Sequence, residues 1–123
     1  MAIVLDISNP SGEDSTRQTL LASAARTASV NGAVVVTSDV NNAFVTLNVT
    51  AVSGTVPTLD VKIQGSDDGG TTWFDIPNAT FTQKVAAGSQ AIQINTFSDA
   101  IRAVATIAGT TPSFTFAVKA VLK

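Results

Sequence analysis

Strict alternation of apolar and polar residues over two neighbouring stretches constrains this chain most. In residues 43–52 aliphatic side chains at odd positions alternate with mostly polar ones at even positions, apart from Phe44 and Val52. In residues 58–64 Leu59, Val61 and Ile63 alternate with polar residues without exception. Because successive side chains of a strand point to opposite faces of its sheet, this period predicts strands with one buried face.

Further short apolar stretches, separated by turn residues, extend this pattern along the rest of the chain. About eight short strands with turns every ten to fifteen residues or so are typical of an all-β protein. We therefore predict a single antiparallel β-sandwich, with jelly-roll connections favoured over a closed barrel. Besides the two stretches above, the predicted strands lie at 33–37, 72–76, 80–82, 90–94, 100–107 and 113–122.

Residues 19–30 are the place where helix and strand compete. Leu, Ala and Arg favour a helix, which Ser15 could cap. Against a helix, most of the apolar residues share one parity, and the turn signal Asn31-Gly32 follows directly. We predict a strand here.

The length of the chain predicts one domain with an extended arm. At 123 residues, with no linker-like segment, the chain has the size of a single domain. Near its start the apolar patch Ile3-Val4-Leu5 is followed by the turn signal Asn9-Pro10-Ser11-Gly12. We assign residues 1–18 to an N-terminal arm that docks on a neighbouring subunit, with a first edge strand or a frayed terminus as the alternative, and residues 19–123 to the sandwich domain.

Composition argues against several functional classes. The chain has no histidine and no cysteine, which are common general bases, nucleophiles and metal ligands. We predict no enzyme, no catalytic residue, no metal and no cofactor; among enzymes, only a glycosidase with paired carboxylates stays formally open. A net charge of −2 with singly scattered basic residues predicts no nucleic-acid partner. Short, interrupted apolar runs and the lack of a signal peptide predict no membrane partner and a protein made in a cytoplasm.

A low charge content favours association with other proteins. Charged residues make up 13% of the chain, about half of the usual 25%. A surface with few charges is weakly protected against association, which favours a protein that works in an oligomer or on a lattice. An ordinary Thr-rich sandwich face is the alternative explanation.

One turn, between the stretch 58–64 and the next strand, has a recognisable pattern. Its Asp-box spacing is carried by Ser66, Asp68, Gly70, Thr72 and Trp73. An Asp carboxylate can accept backbone N–H bonds inside such a turn, Gly takes positive φ, and the Trp ring is expected to cover the turn. The box occurs once, which argues against a propeller. A calcium loop with Asp67, Asp68 and Asp75 is the less favoured alternative.

Three passages resemble small all-β head decoration, or cement, proteins of tailed bacteriophages. They are Thr19-Leu20-Leu21-Ala22-Ser23-Ala24-Ala25-Arg26-Thr27-Ala28, Val45 to Gly65, and Ile101 to Val118. The resemblance implies a structural virion protein on the outer capsid surface, bound to the major capsid protein. A homo-oligomer, either a dimer or a trimer, is expected. For contacts with the capsid or a subunit we select Ile3, Val4, Leu5 and Phe97.

A second functional class stays open at this stage. A β-sandwich can also serve as a carbohydrate- or receptor-binding module of a phage tail fibre or baseplate, with loops at one end holding the ligand. Binding to host sugars rather than to capsids would distinguish that class.

Overall fold

The computed structural model describes residues 16–37, 40–95 and 98–123, and this part of the chain forms strands and no helix. All seven strands belong to one antiparallel sheet, which confirms the all-β prediction. In chain order the strands are β1 (Thr16–Arg26), β2 (Val30–Asn31), β3 (Val35–Val36), β4 (Ala43–Ser66), β5 (Phe74–Thr80), β6 (Gly88–Ile94) and β7 (Ala100–Leu122).

Two long strands form the centre of the sheet. β4 has 24 residues and β7 has 23, and they pair from Ala43 opposite Leu122 to Ser66 opposite Ala100. The prediction of separate strands at 43–52 and 58–64, and again at 100–107 and 113–122, is therefore wrong. The Gly- and Pro-containing segments between them shift the register without ending the pairing.

A similar difference occurs in β5. The strand runs through Pro77 and Asn78, where the sequence predicts a turn. Asn78 has a φ of 62°, and the register between Lys62 and Gln64 of β4 is shifted against β5. The predicted turn is thus a bulge, which costs the ladder a few bonds but leaves the strand continuous.

β4 and β7 each contain a bend where their register shifts, at residues 54–57 in β4 and 109–112 in β7. The two bends lie against each other and have similar sequences. Gly54 has a φ of 113° and Gly109 a φ of 122°, a backbone region that favours glycine. A Cβ at Gly54 would lie 2.7 Å from the carbonyl oxygen of Thr111, and one at Gly109 would lie 2.8 Å from that of Val56. Each bend therefore fits against the other only because both contain a glycine.

These bends belong to two halves of the chain that repeat one arrangement. The sequence Gly54-Thr55-Val56-Pro57 returns 55 positions later as Gly109-Thr110-Thr111-Pro112. The first half, residues 16–66, contains β1 to β4, and the second half, residues 74–122, contains β5 to β7. In each half the long bent strand, β4 or β7, comes last. It follows an outer strand, β1 or β5, and the shorter segments β2 and β3 or β6.

Every ladder between the described strands joins one half to the other. β1, β2 and β3 of the first half all pair with β7, whereas β5 and β6 of the second half both pair with β4. β4 and β7 pair with each other along almost their whole length. The two halves are therefore interlocked, and in the described residues neither has a ladder of its own.

The hydrophobic core is shared between the halves. Leu59, Val61 and Ile63 are at most 1% exposed, which confirms the inward face predicted for 58–64. Ala51 is exposed although the alternation places it inward, because the register shifts between Val49 and Ala51. The largest fully buried side chains come from both halves: Leu20, Leu47, Leu59, Ile63, Ile101, Phe114 and Phe116.

The segment in which helix and strand competed is the edge strand β1. It begins at Thr16, so residues 16–18, which the sequence pattern assigns to the arm, lie in the sheet. The rest of the predicted arm is outside the described residues.

One side chain bridges the irregular part of β1. The Arg26 guanidinium donates to the carbonyl oxygens of Ala22 at 2.6 Å, Ala24 at 3.3 Å and Phe116 at 3.0 Å. It also lies 4.9 Å from the centre of the Phe116 ring. The register of β1 against β7 shifts between Leu21 and Ala24, and the Arg26 side chain donates to carbonyl groups at this irregularity.

We predict that Gly54→Ala and Gly109→Ala each lower the free energy of unfolding by at least about 2 kcal/mol. The new Cβ would meet backbone atoms, and the positive φ would strain the new residue. Gly88→Ala is the matched control, because nothing lies within 4 Å of the position of its Cβ. Urea unfolding measures the stability of all three variants. Equal midpoints for the two bend variants and the control would contradict the close contact between the bends.

Candidate functional site

The predicted Asp-box turn is built around the hydroxyl of Ser66, at the end of β4. Its Oγ donates to Oδ1 of Asp68 at 2.7 Å. The same oxygen accepts from the backbone N–H of Gly70 at 2.8 Å and, more weakly, from that of Asp68 at 3.3 Å. Ser66 is fully buried, so these contacts supply the partners that a buried hydroxyl needs.

The Asp68 carboxylate organises the other side of the turn. Its Oδ1 accepts from the backbone N–H groups of Thr72 at 2.8 Å and Thr71 at 3.0 Å. The backbone of Thr72, and then the hydroxyls of Ser66 and Thr72, hold the pKa of Asp68 well below its usual range. These bonds are local, and they give the carboxylate a structural role within the turn.

Trp73 closes the turn and connects it to β7. Its indole N–H donates to the carbonyl of Gly70 at 3.1 Å. The guanidinium of Arg102 lies 4.4 Å from the centre of the indole ring. The ring is half-buried, so it covers the turn while part of it stays in contact with solvent.

Polar contacts continue from Arg102 across three strands. Arg102 donates twice to Oε1 of Gln64, at 3.0 and 2.9 Å, and Nε2 of Gln64 donates to Asp75 at 2.9 Å. Lys62 forms an ion pair with Asp75 at 3.0 Å. Gln64 and then Lys62 lower the pKa of Asp75, which is thereby engaged in this network.

The described carboxylates show no metal-binding cluster. No group of three or more Asp, Glu, His or Cys suited to a metal ion occurs in residues 16–37, 40–95 and 98–123. Asp67 lines a polar pocket of about 460 Å³ together with Asp99, and neither Asp68 nor Asp75 is among the residues that line it. The arrangement around Asp68 is thus that of a turn.

A second surface feature lies on the outer face of β1, β7 and β4. Two rows of side chains cross these strands in register: Arg17, Val121 and Phe44 in one row, and Thr19, Lys119 and Thr46 in the next. The rows line a groove of about 370 Å³. Phe44 is 52% exposed, an unusual exposure for a large aromatic side chain. We call Arg17, Thr19, Phe44, Thr46 and Lys119 the outer face.

The outer face is cationic. It contains Arg17 and Lys119, whereas none of the acidic residues that the structure describes, at positions 60, 67, 68, 75 and 99, is among its residues. Exposed apolar area beside two positive charges is suited to a partner that offers a complementary acidic and apolar surface.

The residues selected from the sequence fall into two groups. Ser66, Asp68, Gly70, Thr72 and Trp73 come together in one turn. The contact residues Ile3, Val4, Leu5 and Phe97 lie outside the described residues. Sequence reasoning missed the outer face, although one signal was present: Phe44 is the only aromatic residue on the polar parity of 43–52.

Comparisons with protein-family models, curated proteins and solved structures found no match. Within the described ranges, no helix is long and apolar enough to cross a membrane.

We predict that the turn becomes less stable in acid. The lowered pKa of Asp68 means that its stabilisation is present above the ordinary Asp pKa of about 3.9 and is lost as the pH falls toward the folded-state value. The urea midpoint should therefore fall below about pH 4, and it should fall less in Asp68→Asn. Asp60→Asn is the control for the loss of one carboxylate. A dependence of the urea midpoint on pH that is identical in Asp68→Asn and the wild type would contradict the role of the Asp68 carboxylate.

Trp73→Ala should lower the free energy of unfolding by about 1–3 kcal/mol, less than the truncation of a fully buried Trp. The half-buried ring loses its contact with Arg102 and its bond to Gly70. Trp73→Phe should recover most of the loss, because it keeps a ring under Arg102. Thermal and urea unfolding measure both variants; no loss in Trp73→Ala would show that the ring does not stabilise the turn.

Proposed function

We propose that this chain is a structural virion protein, a capsid decoration or cement protein that binds the outer surface of the major capsid protein lattice and stabilises the head. The observation that carries the proposal is the outer face: Phe44 is 52% exposed, in the same row as Arg17 and beside the row of Lys119. The resemblance of three passages to phage decoration proteins supports the same function. No catalytic role is assigned to any residue.

Two residues of the outer face, Phe44 and Arg17, are of types that are enriched at binding interfaces. Aromatic side chains and Arg are enriched among the residues that contribute most of the binding energy in protein interfaces. Phe44 supplies the apolar contact, and Arg17 on β1 and Lys119 on β7 supply positive charge beside it. We infer an acidic capsid surface as the complement.

Repetition makes a modest interface sufficient. A standard interface buries roughly 800 Å² on each partner. When such a contact recurs at every lattice position, avidity strengthens the shell although each contact is weak on its own. A homo-oligomer, as a dimer or a trimer, would add to this effect.

We also propose that the sheet doubles over at the two bends into a β-sandwich. The outer face would then lie on the layer formed by β1, the C-terminal part of β7, the N-terminal part of β4, and β6. The support is the single core cluster, which takes Val45 and Ile63 from the two ends of β4, and Ala103 and Phe116 from the two ends of β7. Jelly-roll connections stay a prediction.

The alternative, a carbohydrate-binding module of a tail fibre or baseplate, has less support. Sugar sites commonly use an open aromatic platform, and the Trp73 ring already lies against Arg102. A glycan array with the full chain distinguishes the alternative, since a decoration protein should bind no glycan and should bind expanded capsids.

We predict that Phe44→Ser combined with Lys119→Glu weakens binding to empty expanded capsids of the same virus by at least about tenfold. Phe74→Ser is the matched control, because Phe74 is 56% exposed on β5, away from the outer face. Sedimentation of fluorescent protein with capsids measures the affinity. Wild-type binding by the double variant would contradict the proposal for this face.

Deletion of residues 1–14 tests the other predicted contact in the same assay. The truncated chain should keep its circular dichroism spectrum and lose capsid binding, because the arm carries Ile3, Val4 and Leu5. A truncated protein that still saturates the capsids would rule out the arm as a contact.

A further inference from the structure

We infer that the interface between the two halves of this chain also accepts a second copy of the chain, so that the first half of one copy pairs with the second half of the other when the turn at 67–73 does not close. The interaction surface is the interface between the halves, and the partner is an identical chain. The inference is independent of the proposed capsid function.

The pairing pattern is the first argument. Each ladder between the described strands joins residues 16–66 to residues 74–122. Several hydrogen bonds outside the ladders also cross between the halves, among them Thr37 N–H to Asp99 O, Phe81 N–H to Val61 O, and Asp99 N–H to Ser66 O, at 2.8 to 2.9 Å. Each half therefore needs a complement, and a second copy offers the same one.

The connection between the halves is the second argument. Only residues 67–73, the Asp-box turn, link the end of β4 to the start of β5. This turn depends on positive φ at Gly69 and Gly70 and on hydrogen bonds to Asp68. Opening it sacrifices these local contacts, whereas an exchanged dimer keeps every strand pair of the two sheets.

The closed monomer is favoured because its halves are tethered. A short linker holds two binding partners at an effective concentration in the millimolar range. If the linker is too short for the hairpin, its own second half can no longer reach β4, and pairing with another copy is the remaining way to form the ladders.

The experiment removes residues 67–72 from the full chain, so that Ser66 is followed directly by Trp73. Six residues alternating Gly and Ser in the same place form the matched control, since they keep the length of the turn. A second control deletes Ala86 and Ala87, which lie between β5 and β6 within one half. Light scattering after size exclusion measures the mass of each variant.

An introduced cysteine pair distinguishes exchange from surface association. The chain contains no cysteine, so Asp60→Cys and Thr106→Cys create a single pair, at positions opposite each other in β4 and β7. In an exchanged dimer the two cysteines of each bond come from different chains, which gives a covalent dimer on a non-reducing gel. In closed monomers that merely associate, the bond forms within one chain.

The expected result for the deletion of 67–72 is twice the mass of either control, with interchain disulfides and the wild-type circular dichroism spectrum, and intrachain disulfides in both controls. A folded monomer, or a dimer with intrachain disulfides, would overturn the inference. An unfolded deletion variant would overturn it too, since a second copy should restore every lost ladder.

Discussion

The close contact of two glycine-containing bends is the constraint on which the rest of this fold depends. Gly54 meets the carbonyl of Thr111, and Gly109 meets that of Val56, at distances that exclude a Cβ on either side. Because the bends match, β4 and β7 stay paired on both sides of them, and all five shorter strands attach to one of these two. Loss of either glycine would disturb both long strands together, since each bend forms the surface against which the other packs.

The presence of the strands was predictable from the sequence because the alternation of apolar and polar residues is a local signal. The ends of the strands were not predictable. Alternation in 58–64 identified Leu59, Val61 and Ile63 as core residues, and all three are buried. The Gly and Pro signals in 53–57 and 108–112 are the same for a turn that ends a strand and for a bend inside one. Only the partner strand, far away in the chain, decides between them. The repeat of the two halves is hard to predict from the sequence, because the halves share little more than the Gly-Thr-x-Pro segments.

The same distinction between local and distant contacts applies to the candidate sites. The contacts of Ser66 and Asp68 lie within six residues along the chain, so a sequence pattern can describe them. The outer face is assembled from β1, β4 and β7, and its exposure follows from which strands pair. Arg26 shows this dependence most clearly, since one of its partners, the carbonyl of Phe116, is 90 positions away.

The interlocked halves have a consequence for synthesis of the protein on the ribosome. β1 pairs with residues 114–122, the last part of β7 to be made, so Leu20 and Leu21 have no strand to cover them until translation of the domain is nearly finished. At roughly 5–20 residues per second, the first half waits several seconds for its partner strands. Pairings of this sequence separation also form slowly once both strands exist. Until then the first half lacks the strands that cover its apolar residues, the condition under which emerging chains are most exposed to aggregation.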